Sequence, residues 1–209
     1  LIRVLIADDH TIVRQGLKQI LNLDPQIKVI FEAKSGNEVL EFARSNPIDV
    51  IMLDITMPGR SGLETLKDLK RLYPQLAVIV LSMHRSDQYA VRVLKAGAAG
   101  YMTKESAPEE LVNAIFKAYR GEKYISPDVA DLLADYVEHG HSEEPHKLLS
   151  DREFEVFRLI ASGKGVTQIA DELNLSVKTV STYKSRVVEK TGLASSSDIT
   201  RYSIEHNLI

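Results

Sequence analysis

The stretch VIMLDITMPG, residues 50–59, runs four apolar residues into Asp54 and then breaks at Pro58-Gly59. An apolar run without alternation fits a strand buried on both faces, and such strands belong to parallel sheets covered by helices. The Pro-Gly pair marks where the chain turns away. A carboxylate at the end of so apolar a segment has two readings: it caps the next turn, or it does chemistry at the edge of a sheet. The flanking segments bear on that choice.

Similar runs occur at 3–7 (RVLIA), 28–33 (KVIFEA), 49–53 (DVIML), 77–81 (AVIVL) and 100–103 (GYMT). Helical periodicity fills the gaps: Ile12, Val13, Leu17, Ile20 and Leu21; Val39, Leu40 and Ala43; Leu63, Leu66 and Leu69; Ala90, Val91, Leu94 and Ala96. A fifth helix is predicted from Pro108 to Arg120, with proline and two glutamates in its first turn. Strand and helix alternate, so residues 1–122 read as an α/β (βα)5 doubly wound parallel-sheet domain. Residues 123–146 read as a linker. It holds an amphipathic helix with Val129, Leu132, Leu133, Tyr136 and Val137, followed by EHGHSEEPH, a solvated segment despite His139, His141 and His146. Residues 147–209 show four short helical segments with no strand pattern, a small all-α bundle. Ser150 with Glu153 forms a capping-box pair, and Ser176 and Ser197 are the predicted N-caps of the last two helices.

Composition narrows the function classes. A chain of 209 residues is long enough for two domains, and 44% apolar against 26% charged residues is the balance of a globular protein. With no cysteine, disulfides, thiolate metal sites and cysteine nucleophiles are all excluded. The longest apolar run, near 76–81, falls far short of the ~20 residues that span a bilayer. A cytoplasmic location and no membrane partner are therefore expected. Residues 147–209 carry nine Lys/Arg against eight Asp/Glu and residues 1–146 seventeen against twenty-one, so bulk charge neither demands nor forbids nucleic acid.

In an open parallel sheet, ligands bind beyond the carboxyl ends of the strands. At those ends stand Asp8 and Asp9, Asp54, Ser82 and Lys104. Each alone is ordinary, since a lone strand-end aspartate commonly caps a turn. Together they form one polar cluster at one end of consecutive units. If the first and third strands are neighbours, the three acids crowd together and need a compensating cation. Oxygen ligands of this kind suit Mg²⁺.

LIADDH, VIMLDITMPGRSGLE, VIVLS and AGAAGYMTK resemble, in order over about 120 residues, the receiver domain of two-component response regulators. The resemblance implies that Asp54 is phosphorylated by a sensor histidine kinase. It further implies that Asp9 binds Mg²⁺ directly, Asp8 through water, and the backbone carbonyl of Thr56 completes the protein ligands. Lys104 would hold a phosphoryl oxygen, Ser82 would donate to the phosphoryl group, and Tyr101 would swing inward or simply pack the sheet edge. Thr56 and His84 occupy positions associated with phosphoryl lifetime. No enzymatic turnover is expected beyond slow self-dephosphorylation.

In the second domain VTQIADELNLSVKTVSTYKSRVVEK has the form of a helix-turn-helix, with Ala170 small at the helix approach and Asn174 suited to a left-handed turn. From Ser176 onward Val177, Val180, Val187 and Val188 define a buried stripe. Lys178, Ser181, Thr182 and Ser185 share another face, flanked by Lys184, Arg186 and Lys190. Four basic residues against Glu189 concentrate positive charge where phosphates would lie. These residues, with Thr179, are the candidate DNA contacts. SDRE and SVKTV carry a resemblance to the LuxR-type DNA-binding domain, although Val166-Thr167-Gln168 stands where that family has a lysine-glutamate pair. Receiver plus LuxR-type domain resembles the NarL/FixJ class. What that implies is a transcription factor switched at the face of the fourth helix, fifth strand and fifth helix. Its expected partners are a histidine kinase, double-stranded promoter DNA and, when phosphorylated, a second copy of the chain; RNA polymerase is a further candidate. Two alternatives stand beside it: a phosphorylation-independent dimerisation and DNA-binding module, and an aspartyl phosphohydrolase, for which Thr56 stands where a second acid is needed.

Overall fold

The structure, a computed structural model, describes residues 1–82, 87–104, 106, 108–127, 129–131, 134, 144–206 and 208–209. His84, His139, His141, and Leu132, Leu133, Tyr136 and Val137 of the predicted linker helix lie outside the described residues. The chain divides into two compact units, 1–133 and 134–209.

The first unit alternates strands and helices: β1 Ile2–Ala7, α1 Thr11–Leu21, β2 Ile27–Ala33, α2 Gly36–Ser45, β3 Val50–Asp54, α3 Gly62–Leu72, β4 Ala77–Ser82, α4 Asp87–Lys95, β5 Gly100–Thr103, α5 Pro108–Tyr119 and β6 Tyr124–Ile125. The sheet order is β2-β1-β3-β4-β5-β6, with every pairing parallel. Sequence reading anticipated five strands. The sixth is two residues long, too short to show a pattern, and it adds to β5 where the linker was expected to begin.

β3 is buried at all five positions because it lies inside the sheet with helices on both faces. Val50 and Met52 face a core shared with Val4, Ile6, Ile79 and Leu81, which α1 and α5 cover through Leu17, Leu21, Leu111 and Ile115. Ile51 and Leu53 alternate to the opposite face. Strand order reverses between β1 and β3, since β1 leads to β2 on one side and β3 to β4 on the other. That reversal opens a crevice at the carboxyl ends of β1 and β3.

The turn after β3 is built to keep that crevice shaped. Gly59 takes φ of +78°, and the Gly62 N–H donates to the Ile55 carbonyl at 3.0 Å. A Cβ on Gly62 would sit 2.2 Å from the Asp54 carbonyl oxygen, so only glycine lets α3 begin this close to the end of β3. Ser61 caps α3, accepting from the Glu64 N–H at 3.2 Å while Glu64 accepts from the Ser61 N–H.

The second unit contains a short 3₁₀ helix, Pro145–Leu148, then α6 Asp151–Ala161, α7 Val166–Leu173, α8 Val177–Thr191 and α9 Ser196–Glu205. Phe154, Phe157, Ile169, Val180, Val187 and Ile199 form its core. Asn174 is left-handed, φ 52° and ψ 47°, and turns the chain between α7 and α8, where Ala170 is buried. Ser176 caps α8, accepting from the Thr179 N–H at 3.0 Å.

Several expectations change. Ile12 is 84% exposed and Arg14 takes its place on the inner stripe of α1, three residues before Leu17. Hydropathy pointed to Ile12, but the 3.6-residue period puts it off that stripe. Val177, the first residue of α8, is 49% exposed and does not join the buried stripe of Val180 and Val187. The cap of α9 is Ser195, not Ser197: it accepts from the Asp198 N–H at 3.1 Å. His146 is not solvated linker. It is 1% exposed, with Nδ1 2.8 Å from the Tyr202 hydroxyl and its ring beside Phe154.

Candidate functional site

Asp8 follows β1 directly, Asp54 ends β3, Ser82 ends β4 and Lys104 follows β5. The parallel register fixes these ends side by side: Asp54 pairs with Leu81 and Ser82 with Thr103. Asp8, Asp54 and Ser82 are fully buried. The Lys104 side chain is 5% exposed, and the backbone N–H of Lys104 donates to the Ser82 carbonyl at 2.8 Å. Its ammonium lies 2.6 Å from Asp8 Oδ2 and 2.8 Å from Asp54 Oδ2, bridging the two acids. Asp54 Oδ1 accepts from the Thr56 N–H at 3.1 Å and the Thr56 hydroxyl at 3.2 Å. Tyr101 is fully buried.

Electrostatics follow from this crowding. Burial pushes the Asp54 carboxyl above its usual range; Lys104 opposes that rise, and the like charge of Asp8 adds to it. Burial lowers the Lys104 ammonium, but Asp54 and Asp8 outweigh it and hold it above its ordinary value. Two buried carboxylates thus share one ammonium. Asp8, Asp9, His10 and Asp54 each offer one ligand atom within 4.8 Å of the others, a cluster that fits a divalent cation.

In the second unit α8 turns Lys178, Ser181, Thr182, Ser185 and Arg186 outward, all exposed. The Thr182 and Ser185 hydroxyls donate back to Lys178 and Ser181 carbonyls at 3.0 Å and keep their acceptor capacity. Thr179 is engaged at the cap, 2.7 Å from the Ser176 hydroxyl, and Lys184 reaches Ser196 at 3.4 Å. Lys190 is held within the unit, 2.6 Å from Glu153.

The model of the response regulator receiver domain matches residues 4–116, and that of the bacterial regulatory proteins of the luxR family matches residues 147–203. The chain belongs to the NarL/FixJ class of two-component response regulators. This response regulator is 37% identical over 209 residues to response regulator UvrY of Escherichia coli (strain K12), covering all of this chain and 96% of the relative. It is 38% identical over 210 residues to response regulator GacA of Pseudomonas viridiflava, covering all of this chain and 98% of the relative. Among solved structures it resembles RcsB of Salmonella enterica serovar Typhimurium bound to promoter rprA in the presence of phosphomimetic BeF3⁻, with TM-score 0.69 and 31% identity. That match covers 96% of this chain and 97% of the other.

Two parts of the response regulator's receiver site escaped the sequence reading. His10 joins the acid cluster: its N–H donates to Asp8 Oδ1 at 2.8 Å, and its Nδ1 lies 3.0 Å from Asp9 Oδ1. Arg14, 5% exposed, donates from Nη1 to the Asp8 carbonyl at 2.6 Å. The i, i+3 spacing of Arg14 and Leu17 was the available signal.

Proposed function

We propose that this response regulator is a DNA-binding transcription factor switched by phosphorylation of Asp54 from a sensor histidine kinase in the cytoplasm. The observation that carries this is Asp54 itself, a fully buried carboxylate bridged to Asp8 by the Lys104 ammonium in a cluster of acids, on a chain that also bears an exposed basic helix.

The chemistry is acyl-phosphate formation. An Asp54 oxygen attacks the phosphorus of a phosphohistidine, a P–O bond forms, the P–N bond breaks, and the imidazole departs with its electron pair. Asp9, Asp8, Asp54 and the Thr56 carbonyl are the groups to hold Mg²⁺, which supplies charge neutralisation at the phosphoryl oxygens. Lys104 moves from the two acids onto a phosphoryl oxygen. The Ser82 hydroxyl donates to another, and Tyr101 and the α4–β5–α5 face respond. The protein is not an enzyme; hydrolysis of the acyl phosphate is slow reversal of the signal.

The second unit then pairs with that of another copy. α9 carries Ile204, 62% exposed, as a contact for a two-fold dimer, and two copies of α8 read two half-sites of a promoter. RNA polymerase is the partner an activator would recruit. Incubation with Mg²⁺ and a small phosphodonor adds one phosphate to the wild type and none to Asp54→Ala; equal incorporation in both sinks the assignment. Selection of bound DNA with and without phosphodonor, at stated salt, tests the effector half.

A further inference from the structure

We propose that Arg14 is a positioning residue of the acid cluster: its guanidinium fork clamps the loop from Asp8 to Thr11 and so holds Asp8 and Asp9 in metal-binding geometry. This rests on the reading of Asp8, Asp9 and Asp54 as a divalent-cation site. A guanidinium placed on the inner stripe of α1 beside Leu17 and Leu21 loses its water, and that loss is large unless the group is tied to fixed acceptors. Arg14 is so tied. Nη1 donates to the Asp8 carbonyl at 2.6 Å and Nη2 to the Thr11 hydroxyl at 3.2 Å, which joins the end of β1 to the first residue of α1.

Asp8 is anchored on every polar atom. Its N–H donates to the Ala33 carbonyl at 3.1 Å, its carbonyl accepts from Arg14, Oδ1 accepts from the His10 N–H at 2.8 Å, and Oδ2 meets Lys104 at 2.6 Å. Of the two cations that hold Asp8, Lys104 contacts the carboxylate and is the one drawn away by an arriving phosphoryl group. Arg14 contacts Asp8 only at its backbone carbonyl, so it stays. The loop that carries Asp8, Asp9 and His10 therefore keeps its shape while Lys104 changes partner. His10 also ties this loop, through its N–H and ring nitrogen to the carboxylates of Asp8 and Asp9, but it makes no side-chain cap bond to α1, so the link from the end of β1 into the helix runs through Arg14.

Two effects of Arg14 oppose each other. Its charge repels a nearby dication, whereas its fork preorganises the ligands; the inference is that the fork prevails. Calorimetric titration of the unphosphorylated full chain with MgCl₂ separates them. Arg14→Ala is expected to weaken Mg²⁺ binding about tenfold, the low end for loss of a group that orients metal ligands. Arg14→Lys keeps the charge but not the fork, and is expected to weaken it by a smaller, resolvable factor. Far-ultraviolet circular dichroism confirms that each variant is folded, and Arg14→Lys serves alone if Arg14→Ala is not. Tighter binding in Arg14→Ala, or wild-type affinity in Arg14→Lys, overturns the inference. Asp9→Asn is the control: if it binds Mg²⁺ like the wild type, or the wild type binds none, the cation-site reading fails and the inference with it. Loss in Asp9→Asn with unchanged Arg14 variants defeats the role of Arg14 alone.

Discussion

Lys104→Met removes the ammonium that bridges Asp8 and Asp54 while keeping most of the stem. Both carboxylates are fully buried, and their ligand atoms lie within 4.8 Å. At an effective dielectric constant of about 20, two charges at that separation repel by roughly 3 kcal/mol. Removing one partner of a buried ion pair costs about 3–5 kcal/mol by a separate route, and the two figures describe the same event. A loss of about 3 kcal/mol in the stability of the first unit is therefore expected at pH 8 without divalent cation. The pH dependence has a definite sign. Burial already raises Asp54, and without Lys104 it rises further. The stability held by its protonated form is fully present below the unfolded carboxylate value and is lost as pH rises through the folded one. The penalty shrinks as pH falls, because protonation of the raised Asp54 carboxyl removes one of the two opposed charges. Mg²⁺ at a hundred times its dissociation constant restores about 2.7 kcal/mol. Amide hydrogen exchange of peptides from β1 and β3, converted to opening free energies at each pH, reads the first unit without interference from the second. Adding Asp54→Asn removes the repulsion and recovers most of the loss. A penalty that does not shrink as pH falls, or a double variant as unstable as Lys104→Met, refutes the reasoning.

Other perturbations test separate parts of the molecule. Gly62→Ala places a Cβ 2.2 Å from the Asp54 carbonyl, so a loss of about 1–3 kcal/mol is expected from overpacking, with reduced phosphate incorporation at Asp54; an unchanged melting temperature contradicts it. If Lys178 and Arg186 contact phosphates, alanine at either lowers the slope of log affinity against log salt by about 0.9, whereas Lys190→Ala leaves the slope alone. Glu153 supplies a pH prediction in the second unit. Burial raises its carboxyl, but the Lys190 ammonium and the Ser150 N–H outweigh burial and hold it below its usual value. Its contribution is present above the unfolded glutamate value and lost as pH falls through the folded one, so Lys190→Met should show weaker α6 exchange protection than the wild type at neutral pH and a smaller further loss on acidification, because its folded value lies nearer the unfolded one.

Binary pattern and punctuation were enough to read the α/β alternation, the second helical domain and the strand-end acids from sequence. Apolar residues at every position of 50–53 require burial on both faces, whatever their neighbours turn out to be. The turn between α7 and α8 was legible in Asn174 for the same reason: a local conformation selects a local residue type. Where local pattern was silent, the tertiary structure decided. β6 became a strand only because β5 offered an edge, and His146 became a core residue only because Tyr202, 56 positions later, came to meet it. Hydropathy favoured Ile12, yet the register of α1 against the sheet turned Arg14 inward and placed its fork on Asp8. Nor does any short-range rule require glycine at 62, since the clash it avoids is with the backbone of Asp54 across a turn. Asp54 was therefore recognisable in sequence as a polar end to a buried strand. That its carboxylate shares an ammonium with Asp8, and lies raised above its normal pKa, depends on β1, β3 and β5 ending side by side. Distances between strand ends are set by sheet order and register, which no single segment encodes.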